Sequence, residues 1–451
     1  MIVLPKPTNQ TAKATKDRRG RKGAPIVSLV VASGLILACG IFVIARRNPG
    51  QTPDDEPVST ESQTVFIPSE SEEPSDTPPI IIFDNISVGT QSSIVAKTQA
   101  VKVRGVYIDA WTASASDEIE WLIGICDTSA INAIVIDVKE DNGYITFLSD
   151  NEKLAEVCID VISDIELLMS LLNKHDIYTI ARLVCFKDPI RARLDPELAV
   201  MDKNGATWAD SSGVAWLNPY NTDSWEYIAT VAKEAAKVGF DEIQLDYVRF
   251  PADGNLGQID YGGGAESKTK AEIIREFLEY IRAELESTSA RLSADVFGII
   301  AVSRGDFEGI GQDLELMWDV VDAVSPMIYP SHFANIRSNG VGQMINGVLF
   351  ERPDLNPYGV VYNIMEMTRN RLPEDGDHAA VRPYLQAFTA SYLGSGFYQV
   401  YGANEILEQI NAVYDAGFEE WILWNHSGRY EIYESVGVML REEVVEEEAT
   451  R

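Results

Sequence analysis

The stretch from Phe240 to Pro251, FDEIQLDYVRFP, decides the fold. Its aliphatic and aromatic residues suit a pleated, buried strand, and a proline that cannot continue a hydrogen-bonded ladder stands at its end. With a period of two, Gln244 and Asp246 share one face while Ile243, Leu245 and Tyr247 share the other. Asp246 and Arg249 fall just before Pro251, at the C-terminal end of the strand, where parallel α/β folds build their pockets.

Seven further segments of the same kind lie outward from this one. They are VRGVYIDAW ending at Trp111, AIVIDVKEDNG from Ala133, IYTIARLVCFKDP from Ile177 and LSADVFGI from Leu292. AVSPMIYPSHF from Ala323, VRPYLQAF from Val381 and EWILWNHSG from Glu420 complete the set. Amphipathic helical patterns separate most of them; in KAEIIREFLEYIRAELE, residues Ile273, Ile274, Phe277, Leu278 and Ile281 recur at helical spacing. Eight successive β/α units predict parallel strands joined by crossover helices, an α/β chain closed into a (β/α)8 TIM barrel. An open doubly wound sheet is the alternative, and the chain has no Gly-rich dinucleotide turn to support it.

The barrel domain is expected over residues 81–435. Ahead of it, residues 1–23 form a basic tail that the positive-inside rule assigns to the cytoplasm. Residues 24–45, APIVSLVVASGLILACGIFVIA, carry no charge over 22 positions, long enough to cross a bilayer as a helix. The competing reading is a cleaved signal peptide with a lipoprotein-like ILAC ending at Cys39, but the apolar run continues beyond that cysteine. Residues 46–80 are rich in Pro, Ser, Thr and acid and predict a disordered stalk. Residues 436–451 read as an acidic C-terminal tail. The barrel is thus expected outside the cell membrane, held by a single-pass helix; the oligomeric state stays open.

Charge narrows the ligand classes. The formal net charge is -32, and since residues 1–47 hold nine Lys or Arg and one acid, the rest carries about -40. Such a surface repels phosphate backbones, so no nucleic-acid partner is expected, and a neutral or cationic ligand suits it better. The same acids also serve simply to keep the domain soluble. Cys126, Cys158 and Cys185 sit among apolar residues and read as small buried hydrophobes. The four histidines show no zinc-ligand spacing, and no G-x-S-x-G elbow, Walker loop or G-x-G-x-x-G is present, so neither metal nor cofactor is expected.

Polar residues gather at the predicted strand ends: Asp109 and Trp111, Asp137 and Lys139, Arg182 and Lys187, and Gln244, Asp246 and Arg249. Asp295, Tyr329, His332, Gln386, Trp424 and Asn425 continue the series around the barrel. Acids and amides bond sugar hydroxyls and aromatic faces pack on pyranose rings, so these residues predict a polysaccharide or oligosaccharide substrate. Glycosidic cleavage needs two carboxyl groups. Asp246 is the expected nucleophile, kept ionised by Arg249, and Asp295 on the adjacent strand is the expected acid/base, with Glu308, Asp137 and Asp322 as alternatives.

The motifs GVYIDAW, AIVIDVKEDNG, IYTIARLVCFKDP, WLNPY and GFDEIQLDYVRFP, in that order over roughly Val101 to Tyr430, resemble the bacterial putative glycosyl hydrolase domain family. That group is distantly similar to alpha-amylase-type and alpha-galactosidase-type hydrolases. The resemblance implies a barrel of sugar-hydrolase ancestry with its nucleophile at the end of strand four, where Asp246 stands. The alpha-amylase-type pattern has a glutamate on strand five, and this sequence has Asp295. The expected function is a membrane-anchored glycoside hydrolase of a cell-envelope or environmental polysaccharide, acting by retention. The alternative is a non-catalytic glycan-binding protein with Trp111, Trp208, Trp216, Tyr329 and Trp424 as its platform; a scaffold for a protein partner is a third.

Overall fold

The computed structural model describes residues 101–374, 376, 378–426, 431–438 and 440. The expected basic tail, membrane span and stalk lie outside the described residues; of the expected C-terminal tail, 436–451, residues 436–438 and 440 are described as helical, with Val436 and Leu440 buried in the core, and the rest lie outside. Among the described residues no helix is long and apolar enough to cross a membrane.

Eight strands form the barrel: β1 Arg104–Ile108, β2 Ala133–Lys139, β3 Tyr178–Val184, β4 Glu242–Asp246, β5 Arg291–Phe297, β6 Ala323–Ile328, β7 Tyr384–Gln386 and β8 Trp421–Trp424. Every neighbouring pair is parallel, and β1 pairs with both β2 and β8, so the sheet closes on itself. All eight strand segments read from the sequence are present. Six helices of ten residues or more with every residue described cover the outside: α1 Ser116–Thr128, α2 Ile165–Lys174, α3 Thr222–Lys237, α4 Lys270–Leu285, α5 Pro357–Arg369 and α6 Ala403–Asp415.

The strand that opened the reading ends earlier than its proline suggested. β4 stops at Asp246 because Tyr247 takes a left-handed backbone conformation, φ 49°, which an extended ladder does not admit. Pro251 lies beyond it in the loop.

Two apolar layers result from the period-two alternation of the strands. Outside, Ile243 and Leu245 of β4 belong to the same buried apolar cluster as α4, whose Ile273, Ile274, Phe277, Leu278 and Ile281 are all buried, as their spacing predicts. Phe277 packs 4.8 Å from Phe186 and 5.9 Å from Trp225, ring centre to ring centre, and truncating such a side chain costs about 3–5 kcal/mol. The helix starts cleanly because Thr269 and Glu272 form a reciprocal capping box.

Inside the barrel the apolar layer is thinner and polar side chains stack along β4. At the floor, Glu242 accepts from Ser293 Oγ at 2.5 Å, Arg382 Nη1 at 2.8 Å and the Tyr178 hydroxyl at 3.0 Å, and Arg382 also reaches Glu420 at 3.0 Å. One level up, Gln244 accepts from the Tyr384 hydroxyl at 2.5 Å and donates to Ser325 Oγ at 3.2 Å. Burial of these groups is offset by mutual hydrogen bonding. The third level is Asp246.

Candidate active site

The C-terminal ends of β2, β3, β4 and β5 bring together a charged cluster. Arg182 on β3 is its hub. Its Nε and Nη2 both donate to Asp246 Oδ2, at 2.9 and 2.6 Å. Its Nη1 donates to Asp137 Oδ1 on β2 at 2.6 Å, and Nη2 also reaches Asp141 Oδ1 at 3.1 Å. Tyr107 on β1 donates its hydroxyl to Asp137 Oδ2 at 2.6 Å. The expected Arg249 partner for Asp246 is therefore replaced by Arg182. Arg249 instead lies among the rings of Trp216, Tyr247 and Phe297, 4.5–5.0 Å from their centres, and donates to the Phe250 carbonyl.

The carboxyl groups of this cluster differ electrostatically. Burial pushes Asp137 up to about 6 despite the opposing Arg182 charge and the Tyr107 hydrogen bond. Burial also acts to raise Asp141, yet the charges of Arg182 and Lys187 outweigh it and bring that group down to about 2. Asp295 on β5 is 1% exposed, and its carboxyl is driven well above the usual carboxylate range, first by burial and then by the Asp246 charge. Its Oδ1 has no hydrogen-bond partner among the described residues. It stands next to Asp246 on the adjacent strand, one step beyond the registered pair Leu245↔Ala294.

An aromatic wall faces this cluster from β6, β7 and β8. Tyr329, just past β6, stacks on Trp424 of β8 at 5.1 Å and 23°. His426 continues the stack on Trp424 at 5.1 Å, and Phe388 meets Trp424 edge-on at 5.4 Å. His332 packs against Tyr329 at 5.0 Å, and burial and the neighbouring His426 lower its imidazole to about 4, so it is neutral at pH 7. Tyr107 joins the wall to the cluster, its ring 6.2 Å from Trp424.

The remaining expected residues divide by position. Lys187 is at the site, donating to Asp141 Oδ2 at 3.0 Å. Asp109 caps the short helix Ala110–Ser114, and Trp111 on that helix is 66% exposed at the rim. Lys139 is at the end of β2 but outside the barrel, fully buried, 2.8 Å from Asp188 and bonded to the Val184 carbonyl. A register shift between Asp137 and Lys139 turns it outward. Gln244 lies one level below Asp246. Gln386 is fully buried, its amide spent on Asp354, the Phe388 carbonyl and the Ser331 N–H. Asn425 is buried directly after the wall residue Trp424. Of the alternative acids, Asp322 lies at the floor, bonded to the Leu292 N–H and paired with Arg282. Trp208 and Trp216 are buried, so neither offers a face to a ligand.

Sequence reading missed Tyr107, Asp141, Phe388 and His426. Asp141 lies inside the segment AIVIDVKEDNG and Phe388 ends the segment VRPYLQAF, each two residues past the end of the observed strand, and His426 lies two past Trp424.

A family model described as a putative glycosyl hydrolase domain matches residues 105–430. Among solved structures, a hypothetical protein from Ruminiclostridium thermocellum is 36% identical, the match covering 42% of this chain and 96% of that one with a TM-score of 0.39. The PgaB (BpsB) glycoside hydrolase domain from Bordetella bronchiseptica is 14% identical, covering 74% of this chain and 98% of that one, with a TM-score of 0.49. Alpha-L-fucosidase isoenzyme 2 from Paenibacillus thiaminolyticus shares the fold at 14% identity and a TM-score of 0.52. That match covers 77% of this chain and 50% of the fucosidase chain. No curated protein matches the sequence.

Proposed function

Because the chain belongs to the putative glycosyl hydrolase domain family, we propose that it is a glycoside hydrolase that cleaves a neutral or cationic polysaccharide with retention at the anomeric carbon. The observation that carries this reading is the contrast between two neighbouring carboxyl groups. Asp246 is ion-paired through Oδ2 to Arg182, whereas Asp295 is buried, its carboxyl is driven well above the usual carboxylate range by burial and the Asp246 charge, and its Oδ1 has no hydrogen-bond partner among the described residues. A carboxylate held in an ion pair beside a buried carboxyl that is raised fits a nucleophile and an acid.

In the first step Asp246 Oδ1 attacks the anomeric carbon. Among the described residues that oxygen accepts only the Tyr247 N–H, so a lone pair remains for attack. The bond to the leaving oxygen breaks and that oxygen takes the Asp295 proton. In the second step the Asp295 carboxylate takes a proton from water, the water oxygen attacks the anomeric carbon, and the ester to Asp246 breaks. Neighbouring strands lie roughly 4.8 Å apart, which supports a carboxyl separation on the scale of about 5 Å that retention requires.

Asp137, with its value near 6, is the rival acid. Both of its oxygens already accept hydrogen bonds, from Arg182 and Tyr107, which favours Asp295 as the proton donor. The aromatic wall supports sugar as the substrate class, since such rings cover the apolar face of a pyranose. The charge-free run of residues 24–45 behind a basic segment supports attachment to the cell membrane with the barrel outside.

The test incubates the full-length chain with a panel of cell-envelope and storage glycans and counts released reducing ends, alongside Asp246→Asn and Asp295→Asn. Release by the wild type, lost in Asp246→Asn and reduced about 100- to 10,000-fold in Asp295→Asn, supports the mechanism. Binding to a glycan with no release by any form points instead to a non-catalytic glycan-binding protein.

A further inference from the structure

Five residues at the mouth, one of them through its backbone N–H as well as its side chain, close a ring of hydrogen bonds. Asp141 Oδ1 accepts from Arg182 Nη2 at 3.1 Å, and the same nitrogen donates to Asp246 Oδ2 at 2.6 Å. Asp246 Oδ1 accepts from the Tyr247 N–H at 2.6 Å. The Tyr247 hydroxyl accepts from Lys187 Nζ at 3.3 Å, and Lys187 Nζ returns to Asp141 Oδ2 at 3.0 Å. Both oxygens of Asp141 and both of Asp246 are members, at opposite points of the ring.

The ring contains a strained backbone. A tyrosine at φ 49° is costly, and such conformations persist only where surrounding contacts over-determine them. The contacts are present here: the Tyr247 ring has Lys187 Nζ 4.6 Å and the Arg249 guanidinium 5.0 Å from its centre, with the Trp216 ring at 5.8 Å. The N–H that bonds Asp246 belongs to the peptide joining the two residues, and the left-handed turn directs the Tyr247 side chain and the chain beyond it. Asp141 is the charge that contacts both cations, Arg182 and Lys187, and together they bring its carboxyl down to about 2.

We propose that Asp141 is the positioning residue of the site: by anchoring Arg182 on one side and the Lys187–Tyr247 pair on the other, it fixes the Asp246 carboxylate in its attacking orientation. This deepens the hydrolase reading and rests on Asp246 as nucleophile. No member of the ring can rotate without breaking two bonds, so loss of Asp141 loosens both ends of Asp246 at once. Asp141 lies 105 residues from Asp246 in sequence, in the loop after β2, and makes no hydrogen bond to it.

The test compares Asp141→Asn with wild type in the full-length chain by two readouts. The first is kcat against KM on a glycan that the wild type cleaves; the expected result is a kcat about 100-fold lower with KM within about threefold, the signature of misaligned reacting atoms. The second is the Tyr247 amide resonance in a chain labelled with 15N-tyrosine, assigned by its loss in Tyr247→Phe. It is expected to move in Asp141→Asn as the bond to Asp246 loosens. Unchanged kcat overturns the proposal. Should the wild type cleave no glycan, the hydrolase reading fails on its own, and the resonance still decides the ring: a shift upholds the coupling and an unmoved signal overturns it. If Asp141→Asn does not fold, Tyr247→Phe breaks the ring at Lys187 without removing a charge, and its kcat is expected to fall about tenfold; unchanged kcat there overturns the proposal equally.

Discussion

Arg182 lays two nitrogens on one oxygen of Asp246, Nε at 2.9 Å and Nη2 at 2.6 Å, and leaves the other carboxylate oxygen to a backbone N–H. One guanidinium thereby sets which oxygen of the carboxylate is occupied and which is open to chemistry.

Replacing that guanidinium is expected to be severe. Arg182→Met leaves Asp137 and Asp246, both nearly buried, without their cation, and breaking a buried pair from one side costs about 3–5 kcal/mol. Urea denaturation of the variant against wild type measures this, and a loss below about 1 kcal/mol would show that the two acids find other partners or water.

Asp137 gives the fold a pH dependence of known sign. Its folded value, about 6, lies above the unfolded one, so its contribution is full below about pH 4 and is lost as pH rises through 6. Wild type is therefore expected to lose stability from this group between pH 4 and 6, and Asp137→Asn to lack that component of the slope. Urea midpoints at pH 4, 5, 6 and 7 decide it, and identical slopes for the two proteins count against the raised value.

Trp111 offers a clean separation of binding from folding. Two-thirds of it is exposed, so Trp111→Ala is expected to change stability by no more than about 0.5 kcal/mol. If its ring carries a sugar, affinity for the glycan falls roughly three- to tenfold, the worth of one stacking contact. Calorimetric titration with the bound glycan reads this directly; unaltered affinity removes Trp111 from the binding surface.

Lys139 is expected to behave in the opposite way. Lys139→Met strands the Asp188 carboxylate in the layer between sheet and helices and is expected to cost about 3–5 kcal/mol, while the KM of the folded fraction stays as in wild type. A raised KM at unchanged stability would return this lysine to the mouth of the barrel.

The barrel was legible because its strands are short apolar runs at regular intervals and helix α4 shows its buried face in the spacing of Ile273, Ile274, Phe277, Leu278 and Ile281. The nucleophile candidate was legible for a related reason, since Asp246 shares its face with Gln244 and that face points inward. What pairing forms across strands was not legible. Arg249 is three residues from Asp246 in sequence, yet Arg182, 64 residues away, faces it, because β3 and β4 are registered at Arg182↔Gln244 and a long side chain spans the one remaining level. Lys139 misled for a different reason: alternation predicts that it shares the inward face of Asp137, and a single irregularity in register reverses it. His426 was seen as a histidine without metal spacing, and only the fold brings it onto Trp424.

The polar column of Glu242, Gln244 and Asp246 has a consequence for engineering this protein. Its interior cannot be tightened by exchanging one apolar side chain for a larger one, because each level is a matched set of donors and acceptors that an aliphatic group would orphan. The outer layer, between strands and helices, is ordinary hydrocarbon. Thermostabilising substitutions therefore belong there, where gains in packing are insulated by the sheet itself from the groups that would do the chemistry.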